Sequence, residues 1–254
     1  MSNFASFANI LPDPANYISD AGSAVSGDTG AVYGPGFASV KFTSNTPTMV
    51  GKTNSGRLIS RRVAGQTWKI SIKYNPMTRD QFEPIYNFLL FHGRLNPFYV
   101  RLPQYQTSRR SDGTNSFDYM LSQSSSPTTI HTDGAHSAGA NYILTDGYAS
   151  AASYHSPRPG DMFTITDNTD TLHTKAYRVV RVEDSSNWHG STQPSATERR
   201  LWIHPALTRA TPTDKVLNFA SPQIRVIMSG DVIEYNLKTD NLYTFGLNLE
   251  EANA

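Results

Sequence analysis

Between Trp68 and Tyr105 the hydrophobic period of the chain switches from alternate residues to helical spacing and back, and few folds accommodate that order. Trp68, Ile70, Ile72 and Tyr74 occupy every other position, with Lys69, Ser71 and Lys73 between them. That alternation predicts a strand with one buried and one solvated face. Thr78 and Gln81 stand at capping-box spacing, Phe82, Ile85, Tyr86 and Leu89 follow at i, i+3, i+4, i+7, and Gly93 is placed to end the helix. The spacing predicts a helix over residues 79 to 92. Pro97 then turns the chain into Phe98, Val100 and Leu102, alternating with Tyr99 and Arg101. A strand, helix, strand unit of this kind implies a β-rich fold that keeps one helix packed against its sheet. It carries no catalytic group.

Length and composition narrow the classes further. At 254 residues the chain can bury one large core or two modest ones. A formal net charge of +1 argues against affinity built on neutralising phosphates. With no cysteine, disulfides, thiol catalysis and a cysteine zinc site are excluded. Neither a signal sequence nor an apolar run long enough to span a bilayer is legible, so no membrane association is expected and the chain reads as made in a cytoplasm.

Residues 1–36 are broken by Pro12, Pro14, Gly22, Gly27, Gly30, Gly34, Pro35 and Gly36 before any period develops. They read as an extended arm, either frayed or ordered only against neighbouring subunits. Val40 and Phe42 open the first strand. A loop centred on Thr46-Pro47 and Gly51 then leads through Leu58, Ile59 and Val63 to Trp68. From Gln106 to about Ser126 the composition turns to Ser, Thr, Gln, Asp and Arg, and beyond lie short strand patterns at Met162–Ile165, Ala176–Val182 and Leu201–Leu207. Ile224, Val226 and Met228, then Ile233, Tyr235 and Leu237, then Tyr243, Phe245, Leu247 and Leu249 alternate again, with a hairpin turn at Thr239-Asp240-Asn241. The fold expected is therefore mainly β: a β-sandwich domain with one packed helix, formed by residues 37–105 and 221–254. Residues 106–220 would be an inserted small β-barrel or sandwich. Glu251 to Ala254 read as a peripheral tail, whereas loss of residues 243–254 would open the sandwich.

Enzyme motifs fail on inspection. Gly51-Lys52-Thr53 has the end of a phosphate loop, but Thr46 stands where the first glycine is needed. His131, Asp133 and His136 are close in sequence, yet sit among Ser, Gly and Ala, and read as a solvated loop rather than a metal site. His173, His189 and His204 are scattered with no nucleophile elbow to serve. Glu183 and Asp184 adjoin, but neighbours in a strand face opposite ways. The pairs Arg61-Arg62, Arg109-Arg110 and Arg199-Arg200 read as loop charges or contact salt bridges. No catalytic residue, metal or cofactor is expected.

What remains is packing. Trp68, Ile70, Ile72, Phe82, Phe98, Phe245 and Leu247 are the expected core. Phe88, Leu90 and Phe91 lie off the main stripe of the helix, and together with Tyr99 they are the candidate interface residues.

Two stretches resemble the distal tail proteins and related minor tail proteins of tailed bacteriophages. One is Phe88-Leu89-Leu90-Phe91-His92-Gly93-Arg94 followed by Asn96-Pro97-Phe98-Tyr99-Val100-Arg101-Leu102-Pro103; the other is Tyr243-Thr244-Phe245-Gly246-Leu247-Asn248-Leu249-Glu250-Glu251. The resemblance implies a structural virion protein, not an enzyme. Its sandwich would form one segment of a belt, a homohexameric ring at the distal end of the tail tube, contacting the tail tube protein and the baseplate or tail-tip hub proteins, with DNA only passing through the lumen. The alternative function is a carbohydrate-binding module or a tail-associated hydrolase acting on a host cell-surface glycan, with Trp188 and Trp202 as its first candidate residues.

Overall fold

The computed structural model describes residues 9–12, 17–18, 32–33, 36–62, 65–101, 130–148, 157–165, 175–188, 190, 193–219, 222–231 and 233–252. Among these the chain is mainly β with one helix. It divides into two compact units, one built from Met1–Val100 and Arg225–Asn253, the other from Arg101–Ile224. The polar stretch after Gln106, the pair Arg109-Arg110, and His173 and His189 lie outside the described residues, as does most of the N-terminal segment.

The first unit opens with β1 (Tyr17–Ile18) and β2 (Val32–Tyr33), a short antiparallel pair. There follow β3 (Phe37–Asn45), β4 (Thr48–Lys52), β5 (Leu58–Arg62), β6 (Thr67–Tyr74), the helix α1 (Arg79–His92) and β7 (Phe98–Arg101). The alternation in β6 is realised as expected, with Trp68, Ile70, Ile72 and Tyr74 buried and Lys69 and Lys73 exposed. In α1 the Thr78 N–H donates to Gln81 Oε1 at 3.0 Å, satisfying a donor at the helix start. Gly93, at φ 54°, closes the helix by donating its N–H to the Leu89 carbonyl at 2.9 Å. Pro84 sits inside the helix and leaves the Asp80 carbonyl without its helical donor.

The second unit contains β8 (His131–Thr132), β9 (Tyr142–Asp146), β10 (Met162–Ile165), β11 (Ala176–Glu183), β12 (Arg199–His204) and β13 (Leu217–Asn218), hydrogen-bonded in the order β13-β10-β11-β12-β9-β8. Its two edges meet. The Thr132 N–H donates to the Lys215 carbonyl and the Leu217 N–H to the Ile130 carbonyl, each at 2.9 Å, so the sheet curls into a nearly closed barrel. Inward residues of β9 to β13 fill it, among them Ile143, Phe163, Tyr177, Val179, Leu201 and Leu217.

The chain re-enters the first unit through β14 (Gln223–Met228), β15 (Tyr235–Leu237) and β16 (Tyr243–Glu251). The main sheet runs β3-β6-β16-β14-β7, and β15 pairs only with the first residues of β16. Strands from both ends of the sequence therefore interleave, with β16 seated between β6 and β14. The expected turn between β15 and β16 is present: the Asn241 N–H donates to the Lys238 carbonyl, with Asn241 at φ 60°. Tyr235 and Leu237, however, are exposed, although the Tyr235 ring still meets the helix, 5.1 Å from Phe82 and 5.4 Å from Tyr86.

Three further expectations are corrected. Residues 9–11 do not wait for a neighbouring subunit: the Leu11 N–H donates to the Tyr99 carbonyl at 2.8 Å and Leu11 is buried. The stretch from 48 to 62 is not a loop but the hairpin β4–β5. Glu251 is no frayed tail, since its carboxylate accepts the Trp68 N–H at 3.0 Å and it is 6% exposed.

Candidate assembly surface

The helix buries Phe82, Ile85, Phe88, Leu89 and His92. Its buried arc is thus turned toward Phe88 and His92 relative to the spacing read from Phe82, Ile85, Tyr86 and Leu89, and Tyr86 is only half-buried. The cause lies in β7. Phe98, fully buried, presents its ring edge-on to Phe88 at 5.3 Å, and the His92 ring sits 4.4 Å from Phe88 and 5.4 Å from Phe98. Phe88, expected at an interface, is therefore core. Burial also holds the His92 imidazole below its ordinary pKa, with a backbone hydrogen bond to Asn96 offsetting part of that shift.

Leu90 and Phe91 face outward, 55% and 57% exposed, and Leu95 just beyond the helix is 91% exposed. Glu83 and Asp80 share the outward side of the helix, and Arg94 beside Leu95 pairs with Asp231 at 3.2 Å. Tyr99 is half-buried, and its backbone is already occupied by residues 9–11. The seven expected core residues, Trp68, Ile70, Ile72, Phe82, Phe98, Phe245 and Leu247, are all buried. Phe245 stacks on Tyr74 at 4.1 Å and meets Phe82 edge-on at 5.3 Å, so strand and helix share one aromatic core.

Sequence reasoning missed Leu95 and the four exposed apolar residues of the hairpin, Met49, Val50, Leu58 and Ile59. The one available signal was a cluster of large apolar residues with no buried period to assign them to. Exposed apolar side chains in this number make these positions the candidate assembly surface.

No family model matches the sequence. Over 163 residues, however, the chain is 26% identical to "Distal tail protein pb9" of Escherichia phage T5, a match covering 63% of this chain and 69% of that protein. The chain is a relative of a phage distal tail protein.

Other candidate sites in this distal tail protein relative resolve into structure. Gly51-Lys52-Thr53 spans the end of β4 and the hairpin turn, and no phosphate loop forms. His131 and His136 do not lie in a solvated loop. His131 belongs to β8 with Nε2 at 3.9 Å from Asp214, and His136 Nε2 accepts the Leu144 N–H at 3.1 Å. Among the described residues no group of metal-ligating side chains converges, and no helix is long and apolar enough to cross a membrane.

The pair Arg199-Arg200 is not a loop feature either, because both lie in β12. Arg199 is buried and donates to the carbonyls of Ala196 and Glu198. Arg200 lies 3.7 Å from the Trp188 ring centre and 4.6 Å from that of Tyr142, with Tyr142 5.5 Å from Trp202. Glu183, 1% exposed, receives Arg181 at 2.8 Å and Arg200 at 3.8 Å. Gly190 approaches so closely that a Cβ there would stand 2.8 Å from the Trp188 ring. The loop after β11 is thus held against the barrel through Trp188, whose indole is stacked by Arg200.

Proposed function

We propose that the chain is a structural component of a bacteriophage tail that self-associates as a ring, six copies in number, at the distal end of the tail tube. There it joins the tube to the baseplate or tail-tip hub. The observation that carries this reading is the similarity to Distal tail protein pb9 over most of both chains. The geometry supports it: among the described residues Met49, Val50, Leu58, Ile59, Leu90, Phe91 and Leu95 of the first unit are exposed apolar side chains, suited to protein contacts. The hairpin β4–β5 and the end of α1 both belong to the first unit, which in this reading is the belt, with the barrel as its separable module. Closed rings require head-to-tail contacts with a fixed rotation between neighbours. DNA would meet the ring only in transit.

Sedimentation velocity and negative-stain microscopy of the purified chain test the reading. A closed ring of uniform copy number is expected, formed by the chain alone or on addition of the tail tube protein. A strictly monomeric species at high concentration, with and without that partner, would refute it.

A further inference from the structure

His92 is the last buried side chain of α1. Beyond it the chain runs from Gly93 to Pro97 without burying a residue, and Leu95 stands out into water before Phe98 re-enters the core. Two backbone hydrogen bonds shape that stretch: the Gly93 N–H donates to the Leu89 carbonyl at 2.9 Å, and the Asn96 N–H to the His92 carbonyl at 3.2 Å. What joins the stretch to the core is the His92 ring. It is 4% exposed and lies 4.4 Å from the Phe88 ring and 5.4 Å from that of Phe98, with Phe91 edge-on at 5.4 Å.

An imidazole placed there is held in its neutral form. The rings packed on it, Phe88 and Phe91 from α1 and Phe98 from β7, carry no charge, and Arg94, two positions on, is exposed and paired with Asp231 at 3.2 Å. Nδ1 is buried without a hydrogen-bond partner among the described residues, and the hydrogen bond to Asn96 is made to uncharged backbone. A proton added to the ring would bring a full charge among these neighbours with no carboxylate to meet it. The helix C-terminus favours a cation, but by less than burial opposes one. In water the same ring takes up a proton near pH 6.5, as any exposed histidine does. The first unit contains no other histidine, so acid acts on an imidazole of that unit here alone.

We propose that His92 is an acid-released anchor for the end of α1. Neutral, it holds the last helical turn and residues 93–97 against Phe88 and Phe98; protonated, it leaves that pocket for water, and Phe91 and Leu95 lose their present positions with it. The switch lies within a single chain and does not depend on self-association. Linkage fixes its sign. Above about pH 6.5 the ring is neutral whether closed or open, and the closed form is fully favoured; below that value the open form alone takes the proton, and the closed form is progressively lost. While the closed ring stays neutral, the ratio of open to closed rises by about tenfold between pH 7.5 and pH 5.5, which is the ceiling of the effect.

The test is amide hydrogen exchange of the full chain, followed by NMR at about pH 7.5 and pH 5.5 and corrected for the intrinsic exchange rate at each pH. Gly93 and Asn96 report the helix end, and Ile70 to Ile72 of β6, paired on both sides, report unfolding of the whole unit. Gly93 and Asn96 should exchange through an opening that leaves β6 protected, and its equilibrium constant should rise more than about threefold on acidification, toward the tenfold ceiling. His92→Gln, which takes up no proton in this range, should open to the same extent at both pH values. If that variant fails to fold, His92→Phe fills the pocket with an apolar ring and should likewise show no pH dependence. A rise below about threefold in the wild type overturns the proposal, as does an equal rise in the variant. Exchange at Gly93 and Asn96 no faster than in β6 at either pH would mean that the helix end opens only with the whole unit, and overturns it too.

Discussion

Changing Phe245 to Asp strikes the first unit where its two halves of sequence meet. Phe245 is 7% exposed, stacked on Tyr74 of β6 and edge-on to Phe82 of α1. Burial of such a side chain contributes about 1.5–3 kcal/mol, and truncating it to alanine costs about 3–5 kcal/mol once the cavity is included. The carboxylate adds the penalty of a charge facing two aromatic rings. Against a domain stability of about 5–15 kcal/mol, the sum leaves the unit at or below its folding threshold. Melting followed by far-UV circular dichroism, with hydrogen exchange read at Lys69 to Lys73, is the assay, because those residues pair with Gly246 to Glu250. Loss of protection across β6 is expected, while the barrel of residues 101–224 keeps its own. Phe245→Leu, which retains most of the apolar volume, should be much milder. Wild-type melting and exchange in Phe245→Asp would show that β16 is not the closing strand of the core.

Deleting residues 251–254 should cost about 1–3 kcal/mol, more than a peripheral tail would, because it strips the Trp68 N–H of its Glu251 acceptor; a melting curve like the wild type's would refute this. The first unit should lose stability as pH falls below about 6.5. A histidine whose folded pKa is lowered contributes stability above the unfolded pKa and loses it on acidification, and His92→Gln should flatten that part of the stability profile. In the barrel, Glu183→Gln should destabilise by about 1–3 kcal/mol, less than for a fully buried pair because Arg181 is half exposed, and should quench or shift Trp188 fluorescence as the loop loosens. Replacing residues 107–219 with a short Gly-Ser linker should leave a folded first unit, since the chain departs from β7 and returns in β14, which are neighbours in one sheet; an insoluble or non-cooperative product would show a shared core.

The parts of this structure that could be read from sequence are those where burial imposes a period. In β6, β7, β14 and β16 one face meets a core and the other meets water, so alternation in the sequence reports the strand directly. The helix was legible for the same reason, but its exact facing was not. Whether Tyr86 or Phe88 turns inward depends on Phe98, a partner supplied by another element, and no window along the helix contains that information. Arg200 shows the same limit from the polar side: its pairing with Trp188, Tyr142 and Glu183 is assembled from three strands and a loop.

The hairpin β4–β5 was invisible for the opposite reason. With both faces exposed, nothing selects alternate residues, so Met49, Val50, Leu58 and Ile59 form no period and read as loop. That failure is itself informative. A loop has no physical need of four large apolar side chains on a ribbon that carries only basic charge, whereas a strand pair that completes its burial in another molecule does. The period is missing because, among the described residues, no surface packs against this ribbon to divide the four into inner and outer.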